Sequence, residues 1–135
     1  LIANGNHFNP IKQILKKKLF TWFVPKISNL DARKKWIISS LSSSAKIYID
    51  EGASRALKSG KSLLPSGITR VYGTFKKGDN ILIVDNNNIE IARALSSFAS
   101  TEIEKIKGLQ SDQIENILGY ASKSEILHKN DIVIL

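Results

Sequence analysis

The chain has 135 residues, about one domain by length, and its 42% hydrophobic and 24% charged residues are those of an ordinary globule. It has no cysteine, which excludes disulfides and thiolate metal sites, and its longest apolar run, residues 19–24, is broken by Thr21 and is far too short to span a membrane. The net charge of +8 is uneven: residues 1–44 carry eight Lys/Arg against one acid, Asp31, and residues 45–135 carry twelve against eleven, so the total gives the larger part little support as a polyanion binder.

Residues 1–5 read as the end of a strand running into a turn. Asn9-Pro10 is a helix start, with asparagine as the cap and proline at the first helical position. Ile11, Ile14, Leu15 and Leu19 follow at spacings of three and four as an apolar face. Lys16-Lys17-Lys18 gather at the helix end, where the dipole favours cations. Residues 19–24 read as a short strand closed by Pro25. Strand, helix and strand in residues 1–25 make a βαβ piece that cannot fold alone. If cut from its sheet, it exposes the apolar side chains of Ile11, Ile14, Leu15, Phe20 and Trp22 and invites association with another copy. The chain contains no methionine, so the expectation is a portion of a longer polypeptide. Residues 26–44 read as a linker. In it Asp31 caps a helix running to about Ser40, anchored by Trp36 and Ile37, and residues 39–44 form a serine-rich loop.

Residues 45–50 alternate as a strand, and Asp50 or Glu51 caps a helix over residues 52–58 whose inner face is Ala53, Ala56 and Leu57. Gly60 stops that helix. Pro65 and Gly67 make a rigid loop around Ser66. A meander of three strands comes next at 68–73, 80–85 and 89–95, with a turn at 85–88 that tolerates positive φ. Tyr48, Tyr72 and Phe75 read as core. Thr101 and Glu104 have the spacing of a capping box for a helix with Ile103 and Ile106 inward, and a second helix carries Ile114, Ile117 and Leu118. Residues 125–128 and 131–135 read as the last strands. The fold class is mixed α/β, mainly β: a small pseudo-barrel.

Tests for chemistry are mostly negative. Gly60-Lys61-Ser62 imitates the end of a phosphate loop, but Arg55 stands where the earlier glycine belongs and the helix comes first. The two histidines, His7 and His128, lie in different segments without metal-ligand spacing. There is no GxSxG elbow, and Asp50-Glu51 suits helix capping better than paired acid–base work.

Four pieces in order carry a resemblance: Ile47-Tyr48-Ile49-Asp50-Glu51-Gly52-Ala53-Ser54-Arg55-Ala56-Leu57; Lys61-Ser62-Leu63-Leu64-Pro65-Ser66-Gly67-Ile68; Val71-Tyr72-Gly73-Thr74-Phe75-Lys76-Lys77-Gly78-Asp79; and Glu90-Ile91-Ala92-Arg93-Ala94-Leu95-Ser96. Together they resemble a PUA domain, and in particular the one that closes bacterial glutamate 5-kinases. Arg33-Lys34-Lys35-Trp36-Ile37 upstream, and Ser111-Asp112-Gln113-Ile114-Glu115 with Ile117-Leu118-Gly119-Tyr120 downstream, are similar to the same family. The resemblance implies residues 1–25 as the tail of an amino-acid-kinase domain, 26–44 as linker and 45–135 as the PUA domain. It implies a parent enzyme that moves the γ-phosphoryl group of ATP, with Mg²⁺, to the side-chain carboxylate of L-glutamate on the way to proline, in a cytoplasmic homo-oligomer. The groups for that chemistry would sit upstream of Leu1, so neither catalytic, cofactor nor metal residues are assigned to this chain and no membrane is expected. The PUA resemblance also implies a surface that in other proteins binds structured RNA, here Gly52, Arg55, Lys58, Lys61, Ser66, Gly67 and Arg70. An RNA-modifying protein is the alternative parent. The same cations also read as ordinary surface charge on a nearly neutral domain, the commoner case.

Overall fold

The computed structural model describes residues 2–6, 8–16, 20–24, 26, 28–39, 44–120 and 123–135. At the start of the chain, β1 (Ile2–Ala3), α1 (Pro10–Leu15) and β2 (Phe20–Thr21) give the expected strand–helix–strand order. The two strands pair with each other antiparallel, Ile2 opposite Thr21, rather than in the parallel sense of a βαβ unit. Asn9 stands at the N-cap of α1 in the left-handed region (φ 53°) and its side chain makes no capping bond. Lys17, Lys18, Leu19 and Pro25 lie outside the described residues. Ile11, Leu15 and Trp22 are exposed, while Ile14 and Phe20 are half-buried.

α2 (Asn29–Ser39) is capped by Ser28, not by Asp31: Asp31 N donates to Ser28 Oγ at 3.1 Å, and Ser28 Oγ donates back to the Asp31 carboxylate at 2.6 Å. Its anchor is Ile37, which is wholly buried, whereas Trp36 is 55% exposed. Three polar contacts dock this helix on the main body of the fold. Asn80 Nδ2 donates to Ile37 O at 2.6 Å, Arg93 Nη1 donates to Ile38 O at 2.7 Å, and Arg33 pairs with Asp131. Most of the serine-rich loop, residues 40–43, lies outside the described residues.

The rest of the chain folds around one five-stranded mixed sheet of order β4-β3-β5-β6-β7: β3 (Lys46–Ile49), β4 (Ile68–Tyr72), β5 (Asn80–Val84), β6 (Glu90–Leu95) and β7 (Ile132–Ile134). The expected meander is corrected here. β3 inserts between β4 and β5, antiparallel to the first and parallel to the second, so only β5 and β6 form a hairpin of the predicted kind. The strands' own patterns account for this. β5 buries Ile81 through Val84, as a central strand should, while β4 buries little beyond Ile68 and lies at the sheet edge. Tyr72 on that edge is 58% exposed rather than core, Tyr48 is half-buried, and only Phe75 is in the core as expected. Residues 125–128 make no strand. Leu127 instead forms an isolated bridge with Leu63, and Ile126 and Leu127 are wholly buried.

The sheet wraps a core of Ile47, Ile49, Ile81, Ile83 and Ala92 against side chains from α3 (Glu51–Lys58), α4 (Ser100–Ile106) and α5 (Ile114–Leu118), chiefly Leu57, Ile103, Ile106 and Ile114. This is the mixed pseudo-barrel read from the sequence, open between its β4 and β7 edges. The capping acid of α4 is Glu102 rather than Glu104: its Oε2 accepts from Ala99 N at 2.7 Å, while Glu104 pairs with Lys107. The Tyr120 hydroxyl also donates to the Glu102 carboxylate, and these two bonds hold that carboxyl below its usual range. The same bond raises the Tyr120 hydroxyl.

Candidate functional site

Helix α3 and the loop behind it place most of the candidate residues. Asp50 Oδ1 accepts from Ala53 N at 2.7 Å and closes the helix N-terminus, which settles the choice between Asp50 and Glu51. Gly60, at φ 75°, ends the helix, and the chain turns back with Lys61 N donating to Ala56 O at 3.0 Å. Residues 61–67 are then tied on three sides. Leu63 N donates to Leu127 O at 3.0 Å, Gly108 N donates to Pro65 O at 2.8 Å, and Asp50 N donates to Gly67 O at 3.0 Å. Gly67 meets α3 without room for a side chain, since a Cβ there would lie 2.5 Å from the Cβ of Ala53.

Between α3 and this loop lies a cavity of about 640 Å³ whose walls include Asp50, Gly52, Ala53, Lys61, Ser66 and Gly67. Four of the seven sequence candidates, Gly52, Lys61, Ser66 and Gly67, thus share one cavity. One carboxylate and one ammonium group line it, so its own charge is balanced. A neutral polar group suits it better than a bare phosphate.

The other three candidates stand apart from that wall. Arg55 and Lys58 are exposed on α3. Arg55 Nη1 lies 3.0 Å from Glu51 Oε1, a pair so open to water (73% and 83% exposed) that it constrains the arginine little. Arg70 belongs to a second cavity, of about 540 Å³, with Tyr48, Thr69, Asn86 and Asn88. Its guanidinium carbon sits 3.8 Å from the centroid of the Tyr48 ring, and the Tyr48 hydroxyl donates to Asn88 Oδ1 at 3.2 Å. Sequence reasoning missed this grouping. The signal for it was the alternation of residues 46–49, which turns Tyr48 away from the side that Ile47 and Ile49 bury.

His128 Nδ1 accepts from Asn130 N at 3.2 Å, and His7 lies outside the described residues. Among the described residues no three His, Asp or Glu side chains gather as a metal-ligand set, and no helix is long and apolar enough to cross a membrane.

The profile of the PUA domain family matches residues 45–118, the segment that holds both cavities. The chain belongs to the PUA-domain family. Its similarity to individual proteins extends beyond the PUA domain. It is 59% identical to the glutamate 5-kinase of Pelagibacter ubique (strain HTCC1062) over 133 residues, 98% of this chain and 36% of the relative. It is 43% identical to the glutamate 5-kinase of Thermoanaerobacter sp. (strain X514) over 137 residues, 100% of this chain and 37% of that one. The chain therefore spans little more than a third of the length of the curated relatives it matches, in their C-terminal part. Among solved structures, it is similar to a PUA domain from Aeropyrum pernix K1 (TM-score 0.47, 19% identity, 62% of this chain and 40% of that one). It is also similar to a chain of the archaeal box H/ACA sRNP Nop10–Cbf5 complex (TM-score 0.45, 21% identity, 67% and 23%).

Proposed function

We propose that this PUA chain is the C-terminal part of a glutamate 5-kinase, and that residues 45–135 serve the enzyme as an accessory module. The observation that carries this reading is the 59% identity to a glutamate 5-kinase over 98% of the chain, which reaches through α1 and α2 and well outside the PUA segment. The parent enzyme would transfer the γ-phosphoryl group of ATP to the side-chain carboxylate of L-glutamate, the first step of proline biosynthesis, as a cytoplasmic homo-oligomer. Such transfer rests on positioning, Mg²⁺ and cations around the moving group. Among the described residues no three His, Asp or Glu side chains gather as a metal-ligand set, and no step is assigned to them; on this reading ATP, Mg²⁺ and glutamate would be held by the remaining two thirds of the relatives' length. The test is glutamate-dependent ADP release. The 135-residue chain alone is expected to show none, and turnover by the chain alone would overturn the reading.

A second reading, RNA binding by the PUA module, is favoured by the cavity between α3 and the 61–67 loop. A charge-balanced cavity with Lys61 in its wall suits an unpaired base or ribose held beside a phosphate contact. Binding of a structured RNA should fall steeply with salt. Lys61→Ala should weaken it several-fold, and more than Arg55→Ala, because Lys61 lines the cavity while Arg55 stands outside it. Binding no stronger than to a neutral polymer at low salt would remove this reading and leave the kinase assignment untouched.

A further inference from the structure

A third cavity, of about 300 Å³, lies where α2, the end of α3 and β7 meet. Three lysines from three separate elements line it: Lys34 of α2, Lys61 after α3, and Lys129 of the 3₁₀ turn Lys129–Asp131. Its remaining wall is apolar, chiefly Leu57, Ile132 and Ile134, and no acid lines it. Among the described residues none of the three lysines forms a salt bridge. The nearby carboxylate of Asp131 is engaged by Arg33.

Three like charges around one apolar wall repel each other, and an anion between them removes that cost. We propose that this cleft binds a small organic anion with carboxylate or phosphate groups on a short apolar body. The size is at the lower end for small-molecule sites. The apolar wall answers the body of such a ligand, and the ammonium groups answer its charges. The frame is pre-set: Lys129 N donates to Ser62 Oγ at 3.0 Å, which fixes the turn beside Lys61, and the Arg33–Asp131 pair fixes α2 beside both. Because Lys34 sits on α2, occupancy ties that helix more tightly to the PUA sheet, a route by which a metabolite could act on the parent protein. This site stands apart from the RNA face except for Lys61, so Lys34 and Lys129 are the residues to vary.

The experiment is titration of the 135-residue chain with pyrophosphate, citrate and glutarate at constant ionic strength, followed by amide NMR shifts and calorimetry. Saturable one-site binding of at least one probe is expected, with shifts at Lys34, Lys129 and Ile132; the preferred probe tells phosphate from carboxylate. Lys34→Gln and Lys129→Gln should each weaken it roughly fivefold to tenfold, and Lys105→Gln, on α4, should leave it unchanged. RNA binding measured in parallel should not respond to Lys34→Gln, so failure of this site and failure of the RNA reading are read separately. Absence of saturation with all three probes, or equal weakening by Lys105→Gln, would overturn the site.

Discussion

Gly67→Ala tests how the loop is seated against α3. The backbone at Gly67 is not in the left-handed region, so alanine carries no conformational penalty there. The cost is steric. The new Cβ would lie 2.5 Å from Ala53 Cβ, against about 3.5–4.0 Å for a good carbon–carbon contact, so helix and loop must part by about 1 Å. Neither yields easily. Ala53 Cβ is fixed by the helix backbone, and the loop is held by the Asp50–Gly67, Gly108–Pro65 and Leu63–Leu127 hydrogen bonds. Forcing a methyl group into such a contact costs about 1–3 kcal/mol, a fall in Tm of roughly 3–15 °C for a chain of this size. The assay is thermal and guanidinium unfolding of both single variants and the double variant. Ala53→Gly alone should cost about 1 kcal/mol through helix propensity. The double variant should cost about the same as Ala53→Gly alone, because removing one methyl makes room for the other. That is a coupling of about 1–3 kcal/mol. Additive costs, within about 0.5 kcal/mol, would refute the steric argument.

Ile37→Ala should destabilise by about 2–4 kcal/mol through the cavity it leaves under α2, since Ile37 is fully buried, as read from guanidinium unfolding. Asp50→Ala should cost about 1 kcal/mol by removing the α3 cap, while Asp50→Asn should keep most of it; equal losses for the two would place the effect elsewhere than the cap. Glu102 has a lowered carboxyl pKa, so its charged form stabilises the fold at pH values above the ordinary carboxylate range of about 4.3, and that contribution disappears as pH falls through its folded value. The native chain should therefore lose more stability between neutral and acid pH than Glu102→Gln does, and Tyr120→Phe should shrink the difference, as followed by unfolding across a pH series.

Much of the architecture was legible in the residues. Gly60 stops α3, Asp50 caps it, and Asn88 takes the positive φ that the 85–88 turn needs, because each choice depends on neighbours a few residues away. The sheet order was not legible. Local alternation in residues 46–49, 68–72 and 80–84 identifies strands but not partners, and the insertion of β3 between β4 and β5, parallel to the latter, is a long-range property. For the same reason Tyr72 was misplaced in the core: nothing in its neighbours says that β4 is an edge. The cap of α2 is ambiguous in the sequence because Ser28 and Asp31, partners in the same pair of bonds, are equally good capping types. Of the candidate residues, Gly52, Lys61, Ser66 and Gly67 share one cavity, while Arg55 and Lys58 lie outside its walls. Arg70 lies apart from it too, because register places it across from Tyr48. The lysine cleft was invisible, since Lys34, Lys61 and Lys129 are far apart in the chain and meet only through tertiary docking.

The most direct measurement of the kinase assignment is a hybrid enzyme. The matching C-terminal part of the Pelagibacter ubique glutamate 5-kinase, which aligns with 98% of this chain, is replaced by these 135 residues. Glutamate-dependent ADP release is then measured beside the unaltered relative. The account assigns no reacting group to the exchanged segment, and so predicts a folded hybrid with turnover within about tenfold of the relative. A folded hybrid with no glutamate-dependent turnover would contradict it.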